Sequence, residues 1–131
     1  MLRAQSGSPQ TEAPLFVLRG ANLQSTADQT FTKNTQFTSY IMRRVVMIGR
    51  TGAVTVACAG GVYSAASKGG DALVAAAQAW TGITGVGAMV DATVASIGLT
   101  TVHTQTPFLS LTTGSTGAAT ADVFVYGDIV D

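Results

Sequence analysis

The chain has 131 residues, 47% of them hydrophobic and only 11% charged, and seven Lys plus Arg balance seven Asp plus Glu to a net charge of zero. One domain is the usual outcome at this length, and so apolar a composition excludes a disordered segment, which would be polar and charge-rich. Contacting several phosphates takes a Lys/Arg surplus that this balance does not provide, so nucleic acid is not an expected partner.

The zero total hides a division along the chain. All seven basic residues (Arg3, Arg19, Lys33, Arg43, Arg44, Arg50, Lys68) lie in the first 68 positions, against Glu12 and Asp28, which gives 7 − 2 = +5. From Gly69 onward come five aspartates (Asp71, Asp91, Asp122, Asp128, Asp131) and no base, which gives −5. A single cysteine, Cys58, forms no internal disulfide. Residues 1–20 carry no apolar run of signal-peptide length. The most apolar stretch, 72–80, falls far short of the roughly 20 residues that span a bilayer. These features predict a soluble, leaderless chain, cytosolic at synthesis, with no membrane partner.

One glutamate, two lysines and eight leucines leave few surface helix formers. Threonine, valine and 15 glycines suit pleated strands and tight turns instead. Residues 1–20 read as an extended N-terminal arm, with Leu15, Phe16, Val17 and Leu18 as its anchor, either a first strand or a plug on a partner. A β-sandwich domain is expected over 21–131. Thr30–Lys33 alternates as a short strand ending at Asn34. The clearest strand is Phe37–Ile48, whose alternation breaks at Arg43-Arg44, where a bulge restores the register. Gly49–Gly52 reads as a tight hairpin connection with Ala53–Ala59 as the partner strand, closed by Gly60-Gly61. Val62–Ala65 is a further short strand, and Ser67–Asp71 is a strong turn signal.

Residues 71–80 are ambiguous. Leu73, Ala77 and Trp80 fit helical spacing, while flanking glycines confine the piece to strand length, and strand is favoured. Met89–Ile97 alternates as a strand. Pro107 stands at the entrance of a strand over Phe108–Thr112, and Ala121–Tyr126 places Val123 and Val125 on one face, Phe124 and Tyr126 on the other. Seven to nine short strands with turn signals at regular spacing predict an all-β, antiparallel sandwich or barrel.

Catalytic signals are weak. Cys58 sits in an alternating apolar segment and reads as a small buried hydrophobe. His103 reads as a solvated or hydrogen-bonded loop residue. A zinc site needs three or four clustered ligands, and the aspartates adjoin turns and strand ends, where they cap and solubilise. Gly82, Gly85 and Gly87 lack the Lys-Ser/Thr of a phosphate loop. No catalytic residue, cofactor or metal is therefore expected. Arg43-Arg44 reads as a solvated or ion-paired edge, with contact to an acidic partner as the functional alternative.

The strings Gly60–Gly70, Ala72–Ala75, Phe108–Thr113 and Ala118–Asp128 resemble a group of small virion structural proteins of tailed bacteriophages and prophages. These are capsid decoration (cement) or head-associated proteins. The resemblance covers about residues 22–128. It implies a jelly-roll-like sandwich, a non-enzymatic role on the outer capsid surface, the major capsid protein as partner and a symmetric homo-oligomer, a trimer among its forms. It also implies residence in the virion, with the host cytoplasm as the site of assembly. The candidate interface is Arg3, Leu15, Phe16, Arg19, Arg43 and Arg44, with the arginines meeting aspartates of a neighbouring copy or an acidic shell. The alternative is a fibre or spike module that binds host glycans. Its Trp and Tyr resources are Trp80, Tyr40, Tyr63 and Tyr126, all in strand patterns that point to core or interface packing.

Overall fold

The computed structural model describes residues 13–131. Strand β1 (Phe16–Asn22) leads into two short pieces, β2 (Gln29–Thr30) and β3 (Thr32–Lys33), and then into the long β4 (Tyr40–Thr51). There follow β5 (Ala59–Ala65), β6 (Gly69–Val74), β7 (Met89–Ala92), a short helix α1 (Ser96–Thr100), β8 (Phe108–Thr113) and β9 (Thr120–Ile129). The strands build two antiparallel sheets, ordered β3-β1-β9-β4-β7 and β2-β8-β5-β6.

The core lies between the sheets and follows from the period of two. Ala121, Val123 and Val125 of β9 are fully buried, and β4 sets Gly49, Met47 and Val45 directly opposite them. Val62, Leu73, Leu109 and Leu111 close the core from the second sheet. Trp80 is its largest member, and its indole Nε1–H donates to the Gly60 carbonyl at 3.1 Å, so the buried donor is satisfied. Phe16, Phe37 and Tyr40 pack edge to face with centroids 5.0–5.8 Å apart. Gly61 is a glycine in a strand interior because a Cβ there would stand 2.1 Å from the Val74 carbonyl oxygen.

The sheets are also joined along both sides. Buried Phe31 separates β2 in one sheet from β3 in the other, so one bent strand serves both. On the opposite side the chain leaves β7, Val94 bridges to Val74 of β6, and the Ala95 N–H donates to the Leu73 carbonyl at 2.8 Å. These links shorten the bare edge on each side.

Several expected boundaries move. Leu15 and Phe16 are core residues and Phe16–Asn22 is a strand between β3 and β9, so the domain begins by Leu15 rather than at residue 21. The rest of the expected arm, residues 1–12, lies outside the described residues. Gly49–Gly52 makes no hairpin. β4 runs on to Thr51, whose hydroxyl lies 2.6 Å from that of Thr120, and the chain then passes to the other sheet. Of the expected partner strand Ala53–Ala59, only Ala59 joins β5, because Val54 and Thr55 donate instead to the carbonyls of Thr84 and Thr116.

Residues 71–80 are strand through Val74 and then turn. Met89–Ile97 stops as a strand at Ala92, and α1 forms where no helical signal stood. There Gly98 packs closely on Val94 and Leu73, so tertiary approach rather than propensity decides.

Candidate interaction surface

The face of the five-stranded sheet turned away from the core carries most of the charge. Three bulges put it there. Between Met42 and Arg44 the ladder to β9 advances two residues on β4 for one on β9, leaving Arg43 as the extra residue. The same shift recurs between Gly49 and Thr51, at Arg50. In β1 it falls between Leu18 and Ala21, at Arg19-Gly20, where Gly20 has φ +65°. Each bulge thus contains an arginine.

Each of these arginines finds an aspartate of the same chain. The extra residue lets consecutive arginines of β4 serve different strands. Arg43 Nε reaches Asp128 Oδ2 on β9 at 2.8 Å, while Arg44 meets Asp91 on β7 with two bonds, at 2.8 and 3.1 Å. Asp122 on β9 takes Arg50 at 3.4 Å, Arg19 at 3.6 Å and the Gly20 N–H at 2.9 Å. The Arg44 guanidinium, bonded to Asp91, holds that carboxyl below the usual carboxylate range. Guanidinium groups also lie over the outward rings, Arg19 over Phe124 and Arg44 over Tyr126, each 5.7 Å from the centroid.

The candidate interface residues therefore separate. Arg3 lies outside the described residues. Leu15 and Phe16 are enclosed in the core and offer no free surface. Arg19, Arg43 and Arg44 share one face, where they pair with aspartates of their own β7 and β9. Sequence spacing hides this, since Arg44 and Asp91 stand 47 positions apart.

Beside this face, where β1 outruns β3, an open concavity of about 510 Å³ is walled by Val17 to Arg19 on one side and by Thr30, Thr32, Lys33 and Asn34 on the other. Nothing in the sequence alternation marked it, because it depends on where the bent strand leaves the sheet.

Cys58 and His103, weighed for catalysis, both lie in the interior. Cys58 is buried, and burial pushes its thiol up to about 11, which keeps it protonated. His103 is hydrogen-bonded but enclosed rather than solvated; its Nε2 lies 3.0 Å from the Ile97 carbonyl, which fastens α1 to the strand bridge with Tyr40. Among the described residues no three His, Cys, Asp or Glu side chains gather as a metal set. None of their helices is long and apolar enough to cross a membrane. Asp28 holds the tip of the β5–β6 hairpin by accepting from the Ser67 N–H at 2.7 Å and the Ser110 hydroxyl at 2.8 Å, bonds that lower its pKa.

Comparison with models of protein families, with curated proteins and with solved structures finds no match to this chain.

Proposed function

We propose that this chain is a non-enzymatic structural component of a virion, a jelly-roll domain that oligomerises and binds the outer surface of the capsid. The observation that carries the reading is strand order. With β2 and β3 counted as one bent strand that edges both sheets, the eight strands fall into sheets ordered 2-1-8-3-6 and 2-7-4-5. With strand 2 assigned to the second sheet, this order supports the reading of a double Greek-key jelly roll, an architecture of viral capsid and lectin domains. The short strings that resemble phage decoration proteins lie in the strands and turns of this arrangement.

The fold alone also admits a lectin, and the aromatic residues favour the shell reading. Sugar recognition uses exposed ring faces. Here Trp80, Tyr40 and Tyr63 are buried, and Tyr126 lies beneath the guanidinium of Arg44. Large apolar side chains that do reach solvent, such as Val86 at 72%, Val56 at 58% and Met89 at 56%, present aliphatic rather than aromatic surface.

A protein that binds only the assembled shell stabilises it by mass action. The test compares purified particles with and without this chain, and then adds it back. The reading predicts stoichiometric re-binding and restored resistance to heat or osmotic shock. Particles indifferent to the chain in both respects would remove the cementing role.

A further inference from the structure

The concavity beside β1 is a place where a ladder stops short. β3 pairs only with Phe16 and Val17, because the preceding residue, Phe31, turns into the core. At the far end of β1, the Gln29 side chain stands in for a strand. The Asn22 N–H donates to its Oε1 at 2.8 Å, and its Nε2 donates to the Asn22 carbonyl at 3.0 Å. Between these two closures, Val17, Leu18 and Arg19 of β1 border the opening, with Thr30 and Thr32 on the facing wall.

Its charge has one sign. Arg19 and Lys33 line it, and no carboxylate does among the described residues. Arg19 keeps a side-chain exposure of 65%, and its 3.6 Å contact with Asp122 is the longest of the four ion pairs among the described residues, so much of its charge faces water. Lys33 is held in place, donating to the Phe37 carbonyl at 2.6 Å with its ammonium 4.7 Å from the Phe37 ring centroid. Asn34 fixes the mouth by donating to the Pro14 carbonyl at 3.0 Å.

We propose that this opening receives a short, extended, acidic segment of a partner protein, which lies along β1 as an added strand and turns carboxylates toward Arg19 and Lys33. A strand rises about 3.3 Å per residue, so roughly four or five residues fill the length between the β3 pairing and the Gln29 clasp. Main-chain bonds supply the affinity in such strand addition, and the two cations select acid over base. The chain's own residues 1–12 are a poorer match, since Glu12 is offset there by Arg3. The inference rests on the docking reading only for who the partner is; the groove chemistry stands on these residues.

The test is a ¹⁵N NMR titration of the full chain, without particles, using an acetylated Glu-Val-Glu-Val-Glu peptide and its Lys-Val-Lys-Val-Lys counterpart. Amide shifts are expected at residues 18–21 and 30–34 with the acidic peptide, weakened by added salt. Arg19→Gln/Lys33→Gln is expected to bind roughly tenfold more weakly, and Arg19→Glu/Lys33→Glu to prefer the lysine peptide, with the Trp80 indole signal reporting an intact core. Should the charge-reversed protein unfold, the glutamine pair decides. Equal response to both peptides, shifts centred elsewhere, or no response overturns the proposal. Because no shell is present, that failure is separate from a failure to bind particles.

Discussion

Arg43 and Arg44 are neighbours in sequence yet reach different strands, because the bulge between Met42 and Arg44 frees one of them from the alternation. The break in the pattern at this pair was legible in the sequence. The partners, Asp128 and Asp91, were not, since they follow from which strands lie beside β4. Exposed pairs of this kind contribute about 0.2–1 kcal/mol each, so Arg44→Ala is expected to lower stability by no more than about that amount. The lowered carboxyls of Asp91 and Asp28 fix the sign of an acid effect. Both have folded-state values below the 3.8 of the free side chain, so their stabilisation is complete above that value and is lost as pH falls through the folded value. Urea midpoints measured from neutral pH downward are expected to hold level and then drop in the acid range. Asp28→Asn and Asp91→Asn should each shallow that drop. A midpoint that rises on acidification, or variants with the parental slope, would contradict the assignment.

Among the elements, the β5–β6 hairpin shows local chemistry overridden by contacts. Its turn places Ser67 at φ +58° and Lys68 at φ +57°, closed by the Gly69 N–H to the Ala66 carbonyl at 3.1 Å. Both central residues are left-handed, the geometry for which Asn-Gly is the usual sequence. Asp28 accepts from the Ser67 N–H, and Lys68 Nζ donates to the Thr26 carbonyl at 3.3 Å, so a loop 39–42 residues earlier in the chain offsets the strain. Lys68→Gly is expected to raise stability by about 1 kcal/mol, read from the denaturant midpoint; a loss would show that the Thr26 contact outweighs the backbone strain.

The turn itself was visible in Ser67–Asp71, as was the alternation of Ala121–Tyr126. Gly49–Gly52 misled because Arg50 and Thr51 continue the ladder to β9 through a bulge, which glycine spacing cannot distinguish from a hairpin. α1 escaped notice because packing on Val94 and Leu73, rather than its own propensities, sets it.

For the whole molecule, pairing of the last strand, β9, with both β1 and β4 resolves the division of charge. β9 lies between β1 and β4, and β7 lies on the other side of β4. This order carries Asp122, Asp128 and Asp91 from the acidic half alongside Arg19, Arg50, Arg43 and Arg44 from the basic half. A chain of +5 and −5 becomes a face of interleaved pairs, with Lys33 and the largely exposed Arg19 lining the groove beside β1. The antiparallel, mostly β character was readable from composition and turn spacing; the groove was not, because it depends on where the bent strand turns inward at Phe31.

The proposal that this two-sheet domain sits on the outside of a capsid is tested most directly by a density map of the virion. The account predicts two-sheet density of this size at repeated positions on the outer shell, with a segment of the capsid protein entering beside β1. A map in which the chain occupies only the interior or the tail, or no position on the particle, would contradict it.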